Sequence, residues 1–142
     1  MPHSTKPLEQ LVEHAGSFAQ LMLSTFGEFY PFACALDAEG ELSTLDADDE
    51  DQSPVSQNLI EQLREEVRLR VPRAEVVATA VAYDARVQIR DRDIDSDAVV
   101  IEVDQVAEDP SIVFMLYRRE GGSIEYGDVL VQPGTGEQYG AR

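Results

Sequence analysis

The strongest constraint on the fold is a strict alternation of side-chain types over residues 76–89. One parity carries apolar, aromatic or β-branched residues, whereas the other parity carries the three alanines Ala78, Ala80 and Ala82. Because successive side chains of a strand point to opposite faces, this pattern predicts one long central strand. The alanine face is small enough for a helix to lie close against it. The larger face consists of Val77, Thr79, Val81, Tyr83, Ala85, Val87 and Ile89.

The N-terminal segment has helical periodicity instead. Its apolar residues recur every three or four positions, which predicts a helix over about residues 5–27. Gly27 suits the left-handed residue that closes a helix, and Gly16 inside it indicates close packing at that point. A second helix is predicted to begin at Ser53 and Pro54, where a capping hydroxyl precedes the preset dihedral of proline.

The remaining segments predict strands joined by short turns. Residues 32–36 are apolar throughout, and a type I turn over 37–40 returns the chain as a strand through 42–45. Residues 91–97 (DRDIDSD) have the composition of a polar turn. Three more strands are predicted over residues 99–103, 112–117 and 124–131.

Length and composition favour one compact domain. The chain has 142 residues, of which 43% are hydrophobic and spread along it, enough for one core. We therefore expect a single domain spanning residues 1–142, with flexible termini at about 1–4 and 133–142. The order helix, two strands, helix and four strands predicts an α+β fold. One largely antiparallel sheet of five or six strands would carry two long helices packed on a face.

This order of elements is similar to that of profilin-like and roadblock-like domains, where two leading strands, a helix and a meander form one sheet. The strings FGEFYPFACALDAEGEL and GGSIEYGD also resemble those of a family of small uncharacterised bacterial α+β proteins, over most of the chain. The resemblance implies the fold class and brings no activity, cofactor, partner or site residue with it.

The charge balance restricts the partners. The chain carries 28 acidic and 11 basic side chains, a net charge of −17, and Lys6 is its single lysine. Such a surface repels phosphate, so we expect neither nucleic-acid binding nor docking on anionic membranes. Two explanations fit this charge. The acidic surface either binds a basic protein partner or serves only to keep the protein soluble.

Further features favour a cytoplasmic location. No apolar stretch approaches the ~18 residues of a membrane span, and the start lacks the apolar run of a secretory signal. The lone Cys34 fits a reducing compartment because it has no partner within the chain.

Common catalytic and cofactor motifs are missing from the sequence. Nucleophilic catalysis needs a nearby base, but the two histidines are His3 in the predicted tail and His14 in the first helix. Cys34 is interpreted as a small core residue because no basic residue flanks it. Clustered Cys or His ligands for zinc and a lysine-bearing phosphate loop are both absent, so no cofactor is expected.

Two acidic segments have some features of a metal-binding loop. Five carboxylates fit positions 1, 3, 5, 7 and 12 of a calcium loop, but Ser96 replaces the required glycine and strands replace the flanking helices. We interpret this segment as a solvated hairpin turn, and the run DADDED at 46–51 as a solvated loop, so no metal site is predicted. The five carboxylates belong to Asp91, Asp93, Asp95, Asp97 and Glu102.

Arginines concentrate in the second helix and shortly after it, at Arg64, Arg68, Arg70 and Arg73. Glutamates precede the first three of these arginines by three or four positions, a spacing that stabilises a helix by ion pairing. An anion-binding patch is the alternative. The expected pairs are Glu61 with Arg64, Glu65 with Arg68, and Glu66 with Arg70.

Aromatic residues cluster where the first helix meets the first strand. Phe26, Phe29, Tyr30 and Phe32 are more rings than one helix end usually buries. They either belong to the core or form a binding groove or dimer surface. We predict partner binding at Phe26, Phe29 and Tyr30.

Three functional hypotheses follow. The first is a non-enzymatic binding or protein interaction module, expected to form a homodimer because sheet edges and aromatic rings need covering. The second is an acidic inhibitor or immunity-type protein for a basic partner. The third is a small enzyme that uses carboxylate, tyrosine and arginine groups converging in a pocket. Its candidate residues are Tyr83, Asp84, Glu102, Asp104, Tyr117, Arg118 and Tyr126.

Overall fold

A computed structural model describes residues 7–45, 57–70, 76–89, 93–105 and 110–133 of the chain. These residues form two helices and six strands. In chain order they are α1 (Pro7–Phe26), β1 (Phe32–Asp37), β2 (Leu42–Leu45), α2 (Gln57–Arg70), β3 (Val76–Ile89), β4 (Ile94–Gln105), β5 (Ser111–Glu120) and β6 (Ser123–Pro133).

All six strands belong to one antiparallel sheet with the order β2-β1-β3-β4-β5-β6. The predicted α+β class and the single six-stranded sheet with two helices are confirmed. The flexible termini, the capping residues Ser53 and Pro54, and the DADDED run lie outside the described residues, except that Pro133 is the last residue of β6.

The two helices lie on opposite faces of the sheet, whereas we expected helices packed on a face. Over residues 76–83 both parities of β3 are apolar, so each face of this half of the strand needs a cover. On one face α1 packs over the alanines Ala78, Ala80 and Ala82. On the other face α2 packs over Val81, Tyr83, Ala85 and Val87.

The packing of α1 depends on small residues. Leu11, Ala15, Ala19 and Leu23 are its fully buried positions. A Cβ atom at Gly16 would lie 3.1 Å from the sulfur of Met115, which confirms the close packing predicted there. The helix ends as predicted: Gly27 has a φ of 80°, and its N–H donates to the carbonyl of Leu23 at 2.8 Å.

The turn between β1 and β2 ends on a left-handed glycine, as predicted. Gly40 has a φ of 87°, and its N–H donates to the carbonyl of Asp37 at 3.0 Å. The Asp37 carboxylate accepts from the N–H groups of Glu39 and Glu41, both at 2.9 Å. This turn therefore fixes the register of the edge hairpin.

The polar turn predicted over residues 91–97 is too long, because its second half belongs to a strand. Strand β4 already begins at Ile94, which pairs with Ile89 of β3. Arg86 of β3 binds Asp95 at 3.0 Å and Asp97 at 3.5 Å across the pair, and these contacts let a polar sequence extend the ladder.

Candidate functional site

The structure forms a groove between the C-terminal half of α1, the segment leading into β1, and β2. Gly27 ends the helix, so the next residues cross its end before the chain enters the sheet. The groove has a volume of about 440 Å³. Its lining residues are Phe18, Met22, Phe26, Glu28, Phe29, Tyr30, Pro31, Phe32 and Thr44.

All three predicted partner-binding residues line this groove, but they differ in exposure. Phe26 is 66% exposed and Tyr30 is 43% exposed, whereas Phe29 is only 2% exposed and belongs to the core. Phe29 and Phe18 both meet the ring of Phe32 edge to face, at centroid distances of 5.9 and 4.9 Å. Phe29 and Phe32 therefore form a packed aromatic base, and the rings of Phe18, Phe26 and Tyr30 are exposed at the groove.

An edge of the sheet borders the groove. Thr44 lines it from β2, and Leu42 lies two residues earlier on the same face of that strand with 39% exposure. The exposed apolar surface thus continues from the groove onto the edge strand.

A polar cluster lies on the opposite face, between α2 and the sheet. The guanidinium of Arg64 donates to both carboxylate oxygens of Glu102, at 3.0 and 2.6 Å, and the hydroxyl of Tyr83 donates to the same carboxylate at 2.6 Å. Arg64 also lies 6.0 Å from the centre of the Tyr83 ring. Its partner is thus Glu102 on β4 and not the expected Glu61, because a half-buried guanidinium gains more from a bidentate carboxylate than from a solvated one.

The pKa values in this cluster follow from burial and the shared carboxylate. Burial is the main cause that raises the pKa of Tyr83, and the neighbouring Glu102 raises it further. The hydrogen bond to Glu102 raises the pKa of Arg64. Both groups therefore keep their protons at neutral pH, as partners of one carboxylate.

A second pair lies on the α1 face. The hydroxyl of Tyr117 donates to the carboxylate of Asp84 at 2.6 Å, and Arg119 lies 5.7 Å from the centre of the Tyr117 ring. Burial raises the pKa of Asp84, although the bond from Tyr117 opposes the shift. Burial and the bond to Asp84 raise the pKa of Tyr117.

The seven candidate enzymatic residues do not converge in one pocket. Four of them form two separate pairs, Tyr83 with Glu102 and Asp84 with Tyr117, on opposite faces of the sheet. None of the seven lines the groove. Asp104 is exposed, and Arg118 binds Glu125 at 3.2 Å on the surface. The hydroxyl of Tyr126 is buried and has no hydrogen-bond partner among the described residues, although Ser24 of α1 lies near it.

The calcium-loop spacing lies mostly within an extended strand. Asp95 and Asp97 share one face of β4 and bind Arg86, whereas Glu102 lies on the other face and binds Arg64. Because strand geometry separates these carboxylates, they cannot surround one ion. Within the described ranges no three His, Cys, Asp or Glu side chains form a metal-binding group, and Asp91 lies outside them.

Cys34 is a core residue, as predicted. It is 1% exposed on β1 beneath α1, and burial raises the pKa of its thiol to about 12. The thiol therefore stays protonated and unreactive in the folded protein.

Sequence reasoning missed the Arg64, Tyr83 and Glu102 cluster. A signal was present, because Glu102 interrupts the otherwise apolar run VVIEV of a predicted strand. A carboxylate at such a position needs a partner from a neighbouring element. Periodicity shows which face it occupies, but not which helix covers that face.

Comparison with protein-family models, with curated proteins and with solved structures found no match to this chain. Among the helices that the structure describes, none is long and apolar enough to cross a membrane. Any functional conclusion therefore depends on the geometry of this molecule.

Proposed function

We propose that this chain is a non-enzymatic interaction module that binds its partner in the aromatic groove. The observation that carries the proposal is a concave apolar site with exposed aromatic rings, of which Phe26 and Tyr30 are the most exposed. Binding sites typically have volumes of ~300–1000 Å³ and mostly apolar walls, and this groove falls in that range. An aromatic side chain that becomes buried at an interface can contribute on the order of 2 kcal/mol.

Nile red, an uncharged dye that emits at shorter wavelength in apolar surroundings, tests this proposal. The variant Phe26→Ala removes a groove ring, and Leu21→Ala is its control because Leu21 is 61% exposed on the same helix but does not line the groove. We expect saturable binding to the wild type and to L21A, and binding about tenfold weaker for F26A. Equal binding to all three proteins, or none to any, would refute the proposal.

Two alternatives have weaker support. An acidic inhibitor for a basic partner is supported by the net charge of −17. A small enzyme is supported by the Asp84 and Tyr117 pair, where a half-buried carboxylate of raised pKa accepts a hydrogen bond from a hydroxyl. That pair lies outside the groove, so the interaction module has the better geometric support.

The homodimer predicted from the sequence remains a proposal. Its support in the structure is β6, an edge strand on which Val129 and Val131 are 58% and 63% exposed. The cytoplasmic location, the lack of nucleic-acid and membrane partners, and the profilin-like or roadblock-like arrangement are proposed on the sequence alone.

A further inference from the structure

We propose that the partner is a basic, extended protein segment that pairs with the edge of β2 and places an apolar side chain in the aromatic groove. The inference rests on the proposed function and adds the chemistry of the occupant. Three features of the described residues carry it: the free backbone edge, the position of the groove beside that edge, and the charge around both.

Within the described part of the chain, one side of the β2 backbone is unpaired. Among the described strands β2 pairs only with β1. The N–H of Asp37 donates to the carbonyl of Glu41 at 3.0 Å, so these two residues form a hydrogen-bonded pair. Bonds alternate along an antiparallel ladder, so the backbone groups of Leu42 and Thr44 point away from β1. An added strand is the partner that satisfies such groups.

The groove lies where the side chains of an added strand would project. Thr44 lines the groove, and Leu42 shares its face of β2. A strand that pairs with β2 presents every second side chain on that face. One such side chain meets the groove beside Thr44, and its neighbour two positions away meets Leu42. This geometry selects an extended segment with an apolar anchor.

The charge around this edge selects a basic segment. Residues 7–63 contain no lysine or arginine and twelve aspartates or glutamates. Of these, Glu28 lines the groove, and Glu39 and Glu41 are exposed beside β2. The acidic run 46–51 follows directly in sequence. A second copy in a symmetric contact would bring these carboxylates against themselves, whereas a basic segment complements them.

The chain contains no tryptophan, so a tryptophan-bearing peptide reports its own binding by fluorescence. The probe is the acetylated, amidated peptide Lys-Thr-Lys-Trp-Lys-Thr-Lys, in which Trp and Thr share one face of a strand. We expect saturable binding to the full chain with a blue shift of the Trp emission. Binding should be about tenfold weaker for F26A and unchanged for L21A.

Two sets of control peptides test the charge and the strand pairing. Replacing every Lys by Glu should weaken binding at least about tenfold, and added salt should weaken binding of the Lys peptide. Backbone N-methylation at the Thr and Trp residues, or instead at the Lys residues, removes donors of one parity. Because a strand pairs through one parity only, one of these two peptides should keep its affinity and the other should lose it.

The outcomes separate this inference from the proposed function. Suppose that Nile red binds the groove while the Lys and Glu peptides bind alike, or while both N-methylated peptides bind like the parent. In either case the inference of a basic, extended partner is wrong, and the groove remains a binding site. If the peptide-free protein is a dimer that F26A dissociates and L21A does not, the occupant is a second copy and the inference is overturned. If Nile red does not bind, both proposals fail.

Discussion

Tyr83 and Asp84 are consecutive on β3, yet their side chains form hydrogen bonds of 2.6 Å on opposite faces of the sheet. Tyr83 donates to Glu102 on the α2 face, and Asp84 accepts from Tyr117 on the α1 face. One residue thus links β3 to the adjacent β4, and the next links it across β4 to β5. These contacts satisfy polar groups inside otherwise apolar layers.

Loss of the Glu102 carboxylate is expected to destabilise the fold. Glu102→Gln leaves Arg64 half-buried without its bidentate partner, and we expect the free energy of unfolding to fall by about 1–3 kcal/mol. Urea denaturation measures this change. The control Glu125→Gln weakens an exposed pair with Arg118 and should change stability by less than about 0.5 kcal/mol. Equal effects of the two variants would contradict the assignment.

Asp84 is expected to make stability depend on pH. Burial raises its pKa, so the folded protein holds this proton more tightly than the unfolded chain, in which Asp titrates near about 3.9. The resulting stability is full below that pH and is lost as pH rises through the folded pKa. Asp84→Asn still accepts from Tyr117 and cannot ionise, so it should gain stability over the wild type as pH rises above about 4.

Denaturation of both proteins at several pH values between acid and neutral conditions measures this difference. The variant Asp104→Asn removes one charge from an exposed site on β4 and corrects for the general effect of lowering the net charge. A stability difference between wild type and D84N that stays constant with pH, after this correction, would show that the Asp84 carboxylate is not buried as described.

The thiol of Cys34 is expected to resist modification in the native protein. Burial raises its pKa to about 12, so the reactive thiolate does not form at neutral pH. Helix α1 covers the sulfur, so a reagent cannot reach it. Reaction with an aromatic disulfide reagent should be slow in buffer and complete at once in strong denaturant. Rapid labelling of the native protein would mean that α1 detaches from the sheet.

Local patterns were sufficient to predict the elements of this fold, and they failed where distant elements meet. The glycines that end α1 and the first hairpin were identified because a left-handed residue is required there. The helices were not assigned to opposite faces, because the side-chain alternation of β3 does not indicate which face each helix covers. The start of β4 at Ile94 depends on cross-strand contacts of Arg86, which no local window contains.

For the candidate site, the sequence indicated which aromatic residues to consider but not their exposure or their neighbours. An excess of rings pointed to Phe26, Phe29 and Tyr30, and all three line one groove. Sequence could not show that Phe29 would be buried, because this depends on Phe32 packing against it from β1. Nor could it show that Thr44 of the edge strand would border the same groove.

Self-association is expected to depend on β6 and not on the groove. Val129→Arg places a charge on the exposed edge strand and should convert a dimer into a monomer, whereas Phe26→Ala should leave the dimer intact. Light scattering across dilution, in low and high salt, measures the mass. A wild-type monomer under all these conditions would contradict the dimer. Dissociation by F26A but not by V129R would show that the dimer interface lies at the groove and not at β6.

The central claim is that partners bind at the groove and the adjoining β2 edge. Amide chemical-shift mapping of the isotope-labelled protein, titrated with the Lys and Trp peptide, tests it most directly. We predict that the perturbed amides fall within residues 18–32 and 42–45, with progressive shifts that saturate. Perturbations along β6, a scatter over the whole acidic surface, or no change at all would contradict the claim.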